Sequence, residues 1–375
     1  MRDVYIVEAV RTPIGRGKQD GALHGVHPVD LLAETLDAVV KRAGVDKRHV
    51  DDVIAGVVSP IGEQGANVGR LAALKAGFPV ETPGVQLNRF CGSGQQAIHF
   101  AAQAIAAGDI ELAIGCGVES MSRVPIGSDA GFTPEFRAGF PYQLLHQGIS
   151  AEMMAERFGL SRAELDEYSA RSHCLAAAAA RNGWTRKELT PVNGLEADEG
   201  VRADIDLSRM AALKPVFKPD GVITAANSSQ ISDGAAAVLL ASGEKADELG
   251  LRKRARVVAR VAVGTEPEIM LTGPILATQR ALARTGLAVN DIDAYEINEA
   301  FASVVLGWAK ELNPPMDRVN VQGGAIAHGH PLGATGAVLM TKLVNILERT
   351  GGRYGLQSMC IGFGMGTATI IERAS

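Results

Sequence analysis

Two thiols and one imidazole stand in glycine-rich segments far apart in the chain. Cys91 follows Asn88-Arg89-Phe90 and opens Cys91-Gly92-Ser93-Gly94 at the predicted start of a helix. Backbone N–H groups and the positive helix end stabilise an anion there, so this placement predicts a thiol with a depressed pKa. The flanking glycines let a substrate approach the backbone closely. A buried structural cysteine is the alternative. His330 lies in Gly329-His330-Pro331, where a neutral imidazole can take a thiol proton. His328, two positions away, leaves a metal-binding His-x-His or a plain turn histidine open, although no nearby cysteine or acidic residue completes a ligand set. Cys360 is a second thiol at a glycine-rich turn, Cys360-Ile361-Gly362-Phe363-Gly364. Asn298 and Glu299, at the end of a predicted strand, either orient a water or a carbonyl or simply make a turn.

The elements that must position these groups occur twice. Leu31 to Ala43 reads as an amphipathic helix stopped by Gly44, followed by an acidic turn and the strand Val53-Ile54-Ala55. Ile275 to Thr285, Gly286, an acidic turn at Asp291 and the strand around Ala294 to Ile297 repeat that order. In the first half, the helix opened at Cys91 stops at Gly108-Asp109, and a strand from Ile110 to Ile114 ends at Gly115-Cys116-Gly117. In the second half, the helix opened at His330 carries Leu339, Leu343, Ile346 and Leu347, stops at Gly351-Gly352, and is followed by a strand leading to Cys360. Alternating strands and helices imply helix-covered sheets, and the repeat implies two similar α/β halves packed together. Residues 118–229 change texture, with turns from Pro125 to Pro141 and helices near Ala151–Arg157 and Ala163–Ala180, and read as an insertion that supplies a binding surface. The expected division is 1–117 plus 230–255 for the first half, 118–229 for the insertion and 256–375 for the second half.

Composition narrows the class. The chain has 375 residues, 46% hydrophobic and 21% charged, enough for a large core and two or three domains. A net charge of −5 argues against nucleic acid or an anionic membrane as the main partner. The four cysteines, Cys91, Cys116, Cys174 and Cys360, are widely spaced without a CxxC pair, which fits a reducing compartment. With no signal peptide and no membrane-spanning apolar run, the expected location is cytoplasmic.

The blocks Asn88-Arg89-Phe90-Cys91-Gly92-Ser93-Gly94, Asn298-Glu299-Ala300-Phe301, Gly323-Gly324-Ala325-Ile326-Ala327 with Gly329-His330-Pro331, and Cys360-Ile361-Gly362 together resemble the signature blocks of thiolases. They occur in family order, as does the opening Val10-Arg11-Thr12-Pro13. The resemblance implies a five-layered α-β-α-β-α fold with an inserted loop domain. It makes Cys91 the acylated nucleophile, His330 its base and the group that activates CoA, and Cys360 the proton shuttle at the α-carbon. It implies one oxyanion hole from His330 and a water held by Asn298, and a second from the backbone N–H groups of Cys91 and Gly362.

The insertion similarly resembles the family's CoA-holding loop domain, with His146, Gln147, Arg202, Phe217, Ala225, Ser229 and Met270 in matching positions and Ala300 and Phe301 near the pantetheine. Coenzyme A is then a substrate, and neither a metal nor another cofactor is implied. Two departures stand out: Phe363 interrupts a run of glycines, either narrowing the acyl pocket or packing outward, and His328 stands where an apolar residue is common. The implied activity is CoA-dependent cleavage of 3-ketoacyl-CoA in fatty acid and lipid metabolism, with condensation of two acetyl-CoA as the alternative direction. Cys360 speaks against a ketoacyl synthase; a cysteine-dependent acyl-CoA hydrolase and a non-catalytic acyl-CoA binder are weaker alternatives. The short insertion favours a homodimer over a homotetramer.

Overall fold

A computed structural model describes residues 2–374. The strands are β1 (Val4–Arg11), β2 (Gly15–Arg16), β3 (Asp52–Gly56), β4 (Gly84–Leu87), β5 (Leu112–Ser120), β6 (Ser232–Ser242), β7 (Ala255–Gly264), β8 (Ala294–Ile297), β9 (Tyr354–Ile361) and β10 (Met365–Arg373). They hydrogen-bond in the order β4-β3-β5-β6-β1-β7-β10-β9-β8, with β2 beside β6. The order is symmetric about the short β1/β7 junction, where Tyr5 faces Arg256 and Ile6 faces Ala255. On one side β4, β3 and β5 run parallel and β5, β6 and β1 antiparallel. On the other side β8 and β9 run parallel, and β9, β10 and β7 antiparallel. The repeat read from punctuation is therefore a repeat of strand direction and pairing.

Two helices fill the space between the halves. Ser93–Ala107 packs on β3 and β5, and Leu332–Thr350 packs on it and on strands of both halves. All but the last three residues of Leu332–Thr350 are buried, as expected of a helix covered on every side. Pro28–Ala43 covers the outer face of the first half, and Gly273–Thr285 that of the second. The five layers are thus helix, sheet, paired helices, sheet, helix. The predicted helix stops hold: Gly44, Gly108, Gly286 and Gly351 have φ of 69°, 91°, 70° and 74°, the left-handed cap that favours glycine.

One strand end is corrected. The Gly115-Cys116-Gly117 segment does not terminate a strand; β5 runs through it to Ser120. These glycines serve close approach rather than turning. A Cβ on Gly117 would lie 2.0 Å from the Gly333 carbonyl oxygen, and one on Gly336 2.0 Å from the Gln95 nitrogen. The two central helices and β5 meet backbone to backbone, which draws the turns at their N-termini together.

Between β5 and β6 lie the helices Gln147–Arg157 and Arg162–Arg181. Their buried faces, with Met154, Leu165 and Tyr168, share one core with Ile297, Val304, Trp308 and Ile326 of the second half. The segment inserted into the first half is thus packed against the second, over the region where the sheet ends converge.

Candidate active site

Cys91 lies in the tight connection between β4 and the helix Ser93–Ala107. Asn88 Oδ1 accepts from Phe90 N at 2.7 Å, and Ser93 Oγ accepts from Arg89 N at 2.8 Å while donating to Phe90 O at 2.6 Å. These bonds hold Phe90 at φ 45° and turn Cys91 inward, against Val58, Met121, Leu332, Leu339, Met359 and Ile361. Burial pushes the Cys91 thiol up to about 11, against the Gln147 side chain and the backbone N–H groups of Cys91 and Gly362, which favour the thiolate. The depressed pKa predicted from the helix start is therefore corrected: the apolar backing outweighs the N–H donors, and the resting group is a thiol.

His330 comes from the turn before Leu332–Thr350. Its Nδ1 lies 2.6 Å from Thr335 Oγ1, which spends its own proton on Pro331 O at 2.8 Å. Thr335 must therefore accept from Nδ1–H, which leaves Nε2 as the basic nitrogen. Asn298 Nδ2 stands 3.3 Å from that Nε2. Burial lowers the imidazole to about 4, so it is neutral and able to receive a proton near pH 7. Thr335 was not singled out in the sequence; the signal was a hydroxyl one helical turn past Pro331.

Asn298 extends β8, with its N–H on Ser358 O at 3.0 Å. It is fully buried, and its Oδ1 has no protein partner among the described residues. Glu299 does not share its role. Its carboxylate accepts from Tyr168 Oη (2.8 Å), Ser172 Oγ (2.6 Å), Asn320 Nδ2 (3.0 Å) and Ile326 N (3.2 Å), tying the inserted segment to the second half.

Cys360 is the penultimate residue of β9 and fully buried. Burial, then the neighbouring Cys91, raises its thiol above the ordinary range. Two residues on, the Gly362 N–H reaches Cys91. Cys91, Cys360 and Gly362 thus meet, and His330 and Asn298 form a second pair. All four cysteines are unpaired, and only Cys174 is exposed.

Glu119, also missed in the sequence, fastens the connection after β3 to the start of the His330 helix. It accepts from Val58 N (2.9 Å), Ser59 N (3.1 Å) and Gln64 Nε2 (2.6 Å) of the first half, and from Gly333 N (2.8 Å) at the start of the His330 helix. His328 turns elsewhere, with Nδ1 on Gly329 O at 3.0 Å and Nε2 3.4 Å from Lys342 Nζ. No three His, Cys, Asp or Glu side chains gather into a metal-binding group among the described residues.

Part of the expected CoA set, His146, Phe217 and Phe301, forms a strip. His146 caps the helix Gln147–Arg157, accepting from Gly148 N at 3.1 Å, and stacks on Phe217 with ring centroids 5.0 Å apart. Phe217 meets Phe301 edge-on at 6.1 Å. Ser229 N donates to Ala300 O at 2.9 Å, and Met270 is buried in the same core as Phe301 and Cys360. Ala225 is exposed beside Ala226. Ala226 lines a cavity of about 280 Å³ with Arg202, Asp206, Arg209 and Leu213. Arg209, a second cation there, carried no sequence signal beyond its charge. Gln147 departs from the strip and reaches the Cys91 sulfur instead.

The family description "Thiolase, N-terminal domain" matches residues 4–244, and "Thiolase, C-terminal domain" matches residues 251–373. A steroid 3-ketoacyl-CoA thiolase of Mycobacterium tuberculosis (strain H37Rv) is 48% identical over 389 residues, covering 100% of this chain and 95% of that protein. A 3-ketoacyl-CoA thiolase of Vibrio parahaemolyticus is 42% identical over 386 residues, covering 99% and 98%. One from Serratia proteamaculans is 43% identical over 387 residues, covering both chains completely.

Proposed function

The chain belongs to the thiolase family and is an acyltransferase, and from that premise we propose that it cleaves 3-ketoacyl-CoA with CoA, giving acetyl-CoA and a shortened acyl-CoA. The observation that carries the reading is the meeting of the Cys360 thiol and the Gly362 N–H at Cys91. A hydrolase needs one sulfur; a carbon–carbon lyase needs a second acid for the carbanion it releases.

Cys91 Sγ attacks C3 of the substrate, and its proton passes to His330 Nε2. The C3 oxyanion is held by the N–H groups of Cys91 and Gly362. When the oxyanion collapses, the C2–C3 bond breaks and its electron pair becomes the enolate of acetyl-CoA. The proton now on Nε2 and the water that Asn298 would hold stabilise that enolate oxygen, and Cys360 gives its proton to C2. An acyl group remains on Cys91, with Cys360 a thiolate and His330 protonated. The proton on His330 then passes to the Cys360 thiolate, which frees Nε2 to take the thiol proton of incoming CoA. The CoA sulfur takes the acyl group, and the departing Cys91 sulfur recovers its proton from His330. Every group returns to its starting state, as two-stage covalent transfer requires.

The aromatic strip of His146, Phe217 and Phe301 and the cavity at Arg202 and Arg209 support residues 118–229 as the CoA-binding unit, with cations at the nucleotide end and apolar contacts along the pantetheine. Unpaired cysteines support a reducing, cytoplasmic setting, and no helix of the described residues is long and apolar enough to cross a membrane. A homodimer is supported by the open sheet edge at β4, where Val85 is exposed, and by the exposed Leu71 and Leu74 of the preceding helix Val68–Lys75 and Val80 of the connection between them. The test is intact-protein mass spectrometry after brief exposure to acetyl-CoA, alongside an assay of acetoacetyl-CoA thiolysis. One acetyl group on Cys91, absent in Cys91→Ala, is expected; equal labelling of that variant overturns the assignment.

A further inference from the structure

Phe363, where a glycine would be at ease, stands at φ 59° in the turn between β9 and β10, and Phe90 stands at φ 45° beside Cys91. A bulky residue held in the left-handed region is strained and persists where something else requires it. The Asn88 and Ser93 bonds already account for Phe90, whereas the Phe363 ring remains partly exposed and is not required by core packing. The two rings face each other edge-on at 5.3 Å. Phe132, from the connection after β5, meets Phe363 at 6.0 Å with planes at 90°, and Phe136 stacks on Phe132 at 5.5 Å with planes 12° apart. Phe140 continues the row at 5.5 Å from Phe136.

Phe132, Phe136 and Phe140 are 37%, 46% and 38% exposed. A row of apolar rings this open marks a binding surface. Its occupant is indicated by where the row begins. Phe90 and Phe363 are the chain neighbours of Cys91 and Gly362, so the wall starts where the acyl carbonyl is attacked and leads outward.

Resting on the thiolase reading above, we propose that this wall receives the acyl group of the substrate, and that the preferred 3-ketoacyl-CoA carries a bulky, rigid, ring-bearing apolar group. A short acyl group would leave the outer rings in water. A long flexible chain would reach them only by freezing many rotatable bonds. A fused alicyclic group presents broad apolar faces to the aromatic row and loses little freedom on binding.

The experiment measures kcat/KM with saturating CoA for acetoacetyl-CoA, straight-chain 3-oxohexadecanoyl-CoA and a fused bicyclic 3-ketoacyl-CoA, using the full chain, Phe132→Ala and Phe363→Leu. The wild type is expected to favour the bicyclic substrate over the straight chain by about tenfold or more, with that ratio falling about tenfold in either variant. Preference for the straight chain, or an unchanged ratio in both variants, overturns the proposal. So does dissociation of an oligomer by Phe132→Ala in sedimentation, which would make the wall a subunit contact. If Cys91 acetylates and acetoacetyl-CoA is cleaved without a ring preference, only the acyl-group inference falls. If neither occurs, the thiolase chemistry falls with it.

Discussion

Thr335 Oγ1 receives the His330 Nδ1 proton at 2.6 Å because its own proton is committed to Pro331 O at 2.8 Å. That fixes the tautomer and aims Nε2 at Asn298. Thr335→Val keeps the shape and removes the acceptor. It should lower kcat about 10- to 100-fold with little change in KM, and Thr335→Ser should restore most of the loss. An undiminished kcat in the valine variant would show that packing alone orients the ring.

Cys360→Ala separates the two half-reactions. Acetylation of Cys91 by acetyl-CoA breaks no carbon–carbon bond, so it should persist. Cleavage of acetoacetyl-CoA needs an acid at C2 and should fall by about 10²–10⁴-fold. Equal loss of both reactions would mean that Cys360 supports the site's structure rather than the proton transfer.

Burial sets the resting protonation of the catalytic pair, with the Cys91 thiol near 11 and His330 near 4. Iodoacetamide alkylation of Cys91, followed by peptide mass spectrometry, should accelerate about tenfold per pH unit from pH 7 to 10. A plateau already reached below pH 8 would reveal a thiolate–imidazolium pair and contradict this reading.

Acid should weaken the fold through its buried histidines. Burial lowers His99 to about 3 and His173 and His330 to about 4. Their unfolded forms take up a proton near pH 6.5, and the folded forms do not. The stability they contribute is thus complete above pH 6.5 and declines as pH falls toward 4, by up to about 1.4 kcal/mol per unit for each. The melting temperature should drop steadily between pH 6.5 and 4.5; a flat profile there would sink the argument.

Lys342 is buried within the central helix, 3.1 Å from Glu296 Oε2 and bonded to Gly323 O. Burial raises Glu296 to about 7, against the opposing pull of Lys342. Lys342→Met leaves that carboxyl without its cation and should cost about 3–5 kcal/mol in denaturant unfolding at pH 8. A raised folded pKa means the folded state gains protons first, so the deficit relative to wild type should shrink from pH 8 to 5.5. A deficit independent of pH would place the cost in packing alone.

Signals written within one turn of chain were legible in the sequence. Helix stops at Gly44, Gly108, Gly286 and Gly351 depend only on whether a residue can adopt a left-handed φ, and all four do. The doubled βα order and the ordered blocks around Cys91, Asn298, His330 and Cys360 likewise needed no coordinates. What failed were residues whose local and tertiary roles conflict. Gly115 and Gly117 look like a turn, yet they sit inside β5 because helices cross there at backbone distance. Asn298 and Glu299 are adjacent and alike in sequence, yet opposite faces of the chain send one to His330 and the other to Tyr168 and Ser172.

The protonation of the site belongs to the tertiary structure alone. Position in the chain places Cys91 at a helix start, which favours thiolate. Only the folded core shows how much apolar surface closes over the sulfur from Val58, Met121 and Leu339, segments distant in sequence. Helix propensity and capping act through neighbours along the chain, whereas desolvation is the sum over everything that excludes water. The residue types fixed which chemistry could occur, and the packing decided the ionic state from which it begins.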